Sequence, residues 1–283
     1  MIGFNHLGNM GRFGNQMFQF AAIRGIAAKH KYDFCIPSYD NIEIANYVHN
    51  YCLHLCFKLN HIKTGIIDTE KYISEKHFHL DEDLFENCQD NISLVGFFQS
   101  EKYFKHISDV IRSDFTFHES IIDPCREFVS KLKNPIMLHV RRGDPNLIDR
   151  GFKWSYTQCG DQHPVQSIEY YEKALAQFDD KQPVIVFSDS PEWVKEQEFF
   201  SGDRFLVSEP KDKYADGSYT PYVDLCLMSL CSHAIIANSS LSWWGAWLIS
   251  NPNKKVIAPN KWFGPTYSHH NTKDLYCSDW VIL

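Results

Sequence analysis

The chain has 283 residues, a formal net charge of −7, 44% hydrophobic and 22% charged residues, and no enrichment in Gly or Pro, which is the composition of a folded globular protein. Its length allows one large or two medium domains, and its negative balance argues against a duplex-DNA binder, which needs clustered Lys and Arg against phosphates, while leaving room for local basic pockets. No opening segment has the charged and apolar regions of a secretion signal, and no run of about 18 apolar residues is present, so the expectation is a cytoplasmic protein that binds no nucleic acid.

In chain order, "MIGFNHL" reads as a strand entering a glycine-punctuated turn at Gly8, Gly11 and Gly14, followed by an apolar helix over 17–28. Asn15 is a residue type that caps helices, so a purely local role accounts for it as well as a functional one does. "YDFCIP" and "NISLVGFFQS" suggest further strands, whereas residues 40–90 show no clear period. Residues 1–133 are therefore assigned to a first α/β unit, with a boundary near Asn134 and Pro135.

From "NPIMLHVRRGD" onward, short β-branched runs alternate with helical ones. Strands are predicted at 136–140, 184–187, 205–207, 234–237 and 256–258. One intervening helix aligns Ile168, Tyr171, Leu175 and Phe178, another opens at "TPYVDLCLMSL" with Thr220 as cap and Pro221 at its first position, and a third runs "SSLSWWGAWLIS". Strand and helix in alternation imply a parallel sheet covered on both faces, so 134–265 is predicted as a Rossmann-like unit. The tail over 266–283 is expected to pack back on the first unit.

Ligands of open parallel sheets bind beyond the carboxyl ends of the strands. Three polar clusters follow predicted strands: "HVRRGD" (139–144), "SDS" (188–190) and "NSS" (238–240). The NSS junction puts hydroxyls and backbone N–H groups at a helix start, which suits an anion but also suits ordinary capping. Paired arginines at a strand end require an anionic partner, either Asp144 in a structural ion pair or a phosphate. Twin guanidinium groups, a helix N-terminus and Asp224 on a neighbouring helix together have the make-up of a nucleoside-diphosphate site. The signatures of P-loop and dinucleotide-binding proteins are missing.

Other features read as structural. The tryptophans Trp243, Trp244 and Trp247 have helical spacing after an apolar strand, which favours core packing over sugar stacking. Cys52, His54 and Cys56, with His61, His77 and His79 later, fit no familiar zinc pattern. Nine cysteines at irregular spacings, without a C-x-x-C pair, fit reduced thiols.

Taken together, "GRFGNQMFQFAA", "HVRRGD", "FSD" and "NSSLSWW" resemble the motifs of the bacterial α-1,2-fucosyltransferases of glycosyltransferase family 11, in that family's order and over nearly the whole chain. The resemblance implies a GT-B-like α/β fold of two Rossmann-like halves, with the donor site in the C-terminal half. It also implies a GDP-fucose donor, a galactose-containing oligosaccharide acceptor, inversion at the anomeric carbon, no cofactor and no metal. A lipid-linked acceptor would add peripheral membrane association. Position by position, it places Arg141 on the β-phosphate, His139 and Asp224 on the nucleoside, and Ser239 and Ser240 on the phosphates. Asn15 lies beside the fucose or phosphates in this reading, with Gly11 and Gly14 permitting close approach and Arg12 holding the loop. Arg142 shapes the cleft or touches the acceptor side, Asp189 is a further donor-side candidate, and Asp144 is the candidate general base. "DED" (81–83) matches the D-x-D of metal-dependent glycosyltransferases, but without a preceding strand it reads as a helix end. Pro145 stands where the family has an aromatic, and the insert-like segment "PNLIDRGFKWSYTQCGDQHPVQ" is expected to border the acceptor. Two alternatives stay open: a glycosyltransferase with another nucleotide sugar, and a noncatalytic carbohydrate-binding protein.

Overall fold

The computed structural model describes residues 1–38, 53–143, 160–209 and 221–283. It divides into two units, 1–118 with 270–277 and 119–269 with 278–283.

In the first unit, β1 (Ile2–Gly3), β2 (Phe34–Cys35), β3 (Tyr72–Ser74) and β4 (Ser93–Val95) form a parallel sheet in the order β2-β1-β4-β3. Helix α1 (Phe13–His30) follows β1 and is buried along most of its length, which suits the apolar run read from the sequence. It starts earlier than 17, with Arg12 at the N-cap and Asn15 inside the first turn, so Asn15 is not the cap. The short helices α2 (Leu53–Cys56), α3 (Glu82–Asn87) and α4 (Ser108–Asp114) complete the described part. Asp81 caps α3 by accepting from the Leu84 N–H at 3.1 Å, and Asp83 pairs with Lys76 at 2.9 Å. The "DED" stretch is thus a helix start with both aspartates committed.

The second unit begins with α5 (Glu119–Val129), which packs on α8 (Tyr222–Leu230). This contact moves the division to 118/119 rather than 133/134. The strands β5 (Ile136–Val140), β6 (Val184–Ser188), β7 (Phe205–Val207), β8 (His233–Ile235), β9 (Val256–Ala258) and β10 (Val281–Ile282) pair in parallel in the order β10-β9-β8-β5-β6-β7. Counted within the unit this is the order 3-2-1-4-5-6, the doubly wound arrangement whose topological switch lies between its first and fourth strands. Here those strands are β5 and β8. The sheet is covered by α6 (Ile168–Leu175), α7 (Pro191–Glu196), α8 and α9 (Ser240–Leu248). Trp243, Trp244 and Trp247 are all buried in α9, as core packing requires. A Cβ on Gly245 would meet Met228 Cβ at 2.7 Å, so glycine lets α9 lie directly on α8.

The C-terminal tail serves both units. Within 270–277, which belongs to the first, Asp274 accepts from Lys102 at 2.6 Å and from the Leu80 N–H at 3.2 Å. Residues 278–283 belong to the second and supply β10 as an edge strand. The tail therefore does not pack as a whole on the first unit. The seven described cysteines form no disulfide and are all buried. Among the described residues no helix is long and apolar enough to cross a membrane.

Candidate active site

At the switch point, β5 delivers "HVRRG" to the carboxyl edge of the second unit's sheet. The parallel register pairs Val140 with Ser188, so the next residues out, Arg141 and Asp189, fall side by side. They form an ion pair through Arg141 Nη1 and Asp189 Oδ2. Asp189 also accepts from the backbone N–H groups of Arg142 at 3.0 Å and Gly143 at 2.7 Å. Ser190 donates to the Gly143 carbonyl at 2.7 Å, which closes the knot between the two strand exits. One carboxylate thereby shapes the arginine loop and aims its guanidinium. Arg141 and Asp189 remain 20% and 18% exposed, so the pair is still reachable by a ligand.

Arg142 points elsewhere. Its guanidinium lies over the Trp193 ring on α7, 3.8 Å from the centroid, a cation–π contact that gives it a packing role. Asp144, expected beside the arginines, lies outside the described residues, as does Thr220. Among the described residues, Arg141 has Asp189 as an ion-pair partner.

His139 is buried, and its Nδ1 has no hydrogen-bond partner among the described residues. Desolvation, with a smaller push from Arg141 against an opposing pull from Asp189, lowers its pKa to about 3, so the ring is neutral. Asp224 opens α8 and accepts from Ser208 Oγ at 2.6 Å; burial raises its carboxyl to about 6. Ser208 follows β7, which places Asp224 along the same carboxyl edge as Arg141, on the far side of β6.

Across the switch point, Leu138 pairs with Ile235, so extending that register sets Arg141 level with Asn238. The Asn238 amide is structural: it accepts from Gln166 at 3.0 Å and donates to the Trp262 carbonyl at 3.1 Å. Ser239 is the N-cap of α9, yet its hydroxyl makes no capping bond, and the first turn has no acidic residue. Simple capping therefore does not account for NSS. An uncapped helix start bearing Ser239 and the partly exposed Ser240 favours an anion.

Sequence reading missed His163. It sits within electrostatic reach of Arg141, and desolvation followed by that guanidinium lowers its pKa to about 4. Its stretch docks on the strand-exit loop after β9: Gly264 N–H donates to the Gln162 carbonyl and Thr266 N–H to the Asp161 carbonyl, both at 2.8 Å. No local motif marks it, because the chain around it reads as an insert.

The first unit has its own carboxyl edge. Gly8 and Gly11 adopt φ of 96° and 77° in the turn after β1. A Cβ on Gly11 would stand 2.0 Å from Asn15 Nδ2, so glycine is required for the asparagine to fold over the loop. Arg12 is exposed and Gly14 buried at the helix start. Like α9, α1 lacks a side-chain cap bond and an acidic first turn. Gln19 ties the loop down, donating to the carbonyls of Met10 at 3.1 Å and Gly96 at 3.0 Å. Among the described residues no cluster of His, Cys, Asp and Glu is arranged to hold a metal ion.

Comparison with known proteins agrees with this architecture. The NodZ α-1,6-fucosyltransferase of Bradyrhizobium, co-crystallised with GDP, superposes with a TM-score of 0.51 at 15% identity, covering 86% of this chain and 90% of that one. POFUT1 in complex with GDP gives 0.50 at 14% identity, over 91% and 97%. These likenesses establish a GT-B-like fold. In sequence, the O-antigen biosynthesis glycosyltransferase WbnK of Escherichia coli is 28% identical, over 96% of this chain and 98% of that protein. An α-1,2-colitosyltransferase of Escherichia coli is 29% identical over 89% and 90%. The galactoside α-(1,2)-fucosyltransferase 1 of Bos taurus is 26% identical over 84% and 64%. The model of glycosyl transferase family 11 matches residues 1–283, and the chain belongs to that family of glycosyltransferases.

Proposed function

We propose that the protein transfers L-fucose from GDP-β-L-fucose to the 2-hydroxyl of a terminal galactose of an oligosaccharide, forming an α-1,2 linkage with inversion and without a metal ion. The observation that carries this reading is Arg141, aimed by Asp189 at the switch point, level with an uncapped helix start. As the bond to the fucosyl anomeric carbon breaks, the sugar becomes oxocarbenium-like and the departing diphosphate gains negative charge. Arg141 supplies charge-assisted N–H donors to that charge, and Ser239, Ser240 and the first turn of α9 add neutral ones. The neutral His139 and the carboxylate of Asp224 hold the nucleoside, the latter accepting from base N–H groups. Asn15 donates to the fucosyl phosphate. Asp144 receives the proton that the galactose hydroxyl releases.

Family membership and the α-1,2 transferases among the relatives support the linkage. A second reading keeps the same acceptor chemistry with colitose as the sugar, because the colitosyltransferase is as similar to this chain as the other relatives are. The test is incubation with GDP-fucose and a panel of galactosides, with product linkage read by NMR. An α-1,2-fucosylated product is expected. Tight GDP binding without fucosyl transfer would move the assignment to another GDP-sugar, and calorimetric preference for UDP over GDP would remove it.

A further inference from the structure

Asn15 has an amide that can present either an oxygen or an NH2 group. Only the NH2 group suits a phosphate. What decides between them lies within the first unit. Gln99 Nε2 donates to Asn15 Oδ1 at 2.7 Å, which leaves Nδ2 on the other side of the amide, over Gly11. Gln99 is buried, and its Oε1 has no hydrogen-bond partner among the described residues.

The turn that delivers Gln99 is held in a disfavoured shape. Phe98, just before it, has φ of 54°, a left-handed conformation that bulky L-residues avoid. The Glu75 carboxylate fixes it by accepting from the N–H groups of Phe97 at 3.1 Å and Phe98 at 2.9 Å. Tyr103 donates to the same carboxylate at 3.2 Å. The Phe98 ring packs edge-on against Phe4 and Tyr103, with centroids 5.8 and 5.2 Å away. Gln19 joins this turn to the glycine loop through Gly96 and Met10. Backbone strain that the surroundings over-determine tends to gather where geometry matters to function.

We propose that Gln99 is a positioning residue for Asn15, donating to Oδ1 so that Nδ2 faces the fucosyl phosphate. The proposal rests on the reading in which Asn15 touches the donor. Its test is a mutant cycle of Asn15→Ala, Gln99→Met and the double variant, with Gln99→Glu beside them, read by kcat, donor KM and GDP calorimetry. Gln99→Met is expected to lower kcat about tenfold, as loss of one oriented hydrogen bond does, with little change in GDP affinity. Gln99→Glu, whose carboxylate only accepts, turns Nδ2 inward and lowers kcat at least as far as Asn15→Ala. The double variant is no slower than Asn15→Ala alone, because Gln99 acts through Asn15.

Wild-type kcat in Gln99→Met, or losses that multiply in the double variant, would overturn the proposal. Should Gln99→Met fail to fold, the cycle runs with Gln99→Glu. A readout independent of turnover is the Asn15 side-chain NH2 pair in 15N-labelled protein. Its protons shift and become protected in Gln99→Glu if the amide inverts; an unchanged pair rejects the orientation. If the wild type ignores GDP-fucose, the donor assignment falls, while the NMR result still decides what Gln99 does.

Discussion

The carboxyl edges of the two sheets are built from opposite materials. In the second unit, strands of five residues carry ionised groups, with Arg141 on Asp189 and Arg142 on Trp193. In the first, strands of two or three residues carry mostly amides and glycines, with Asn15, Gln99 and Gln19 bonded to one another or to the backbone and the Glu75 carboxyl group occupied by backbone N–H groups. Fixed charge needs a rigid bed, because a guanidinium left unaimed at a half-buried edge is costly. Neutral donors need only be pointed the right way, and short strands with a tight loop suffice for that. Under the proposed function, one edge neutralises charge and the other places a group.

Arg141→Ala removes the charge itself and should lower turnover by about three orders of magnitude, as loss of arginine fingers does in phosphoryl transfer. Single-turnover kinetics measure it, and near-normal rates would end the charge-neutralising account. Asp189→Asn keeps the shape but not the charge that aims the arginine. Turnover should fall roughly tenfold to a hundredfold, in line with a lost charge-assisted hydrogen bond, and GDP calorimetry should show weaker binding. An unaffected enzyme would mean that Asp189 merely fills space.

A smaller effect is expected from pH. Burial holds the Asp224 carboxyl at about 6, so it gains the charge that accepts from base N–H groups only as pH rises through that value. Guanosine affinity should therefore increase across this window in the wild type and stay flat in Asp224→Asn; guanosine is used because it lacks the titrating phosphate. For stability the sign is opposite. A raised carboxyl favours the folded state when protonated, so this group's contribution is lost as pH climbs from 3.8 towards about 6. The smallest effect is that of EDTA. Asp81 and Asp83 are committed to a helix cap and to Lys76, so chelation should leave transfer nearly unchanged. A collapse rescued by manganese would show that charge neutralisation is shared with a cation.

Much of the second unit was legible in the sequence, because each buried strand is a β-branched run ended by polar residues. The register is what sequence could not supply. Arg141 and Asp189 are 48 positions apart, and only the pairing of β5 with β6 makes them neighbours. Asp144 is the carboxylate nearest to the arginines in sequence, and no local signal pointed to Asp189 as a partner of Arg141. β10 and β3 were missed for a different reason: two or three residues exposed at a sheet edge carry no period. The unit boundary was drawn at Asn134 and Pro135 because that dipeptide reads as a break, whereas α5, with Pro124 inside it, belongs with α8. Gln99 carried no signal at all, since a glutamine after two phenylalanines is ordinary until its hydrogen bond is seen.

The tail gives the molecule an unusual vulnerability for anyone wishing to dissect it. Cutting after His269 would strip Asp274 from Lys102 and at the same time remove the strand that closes the other sheet beside β9. Neither half can be produced as a contiguous fragment with all its own parts.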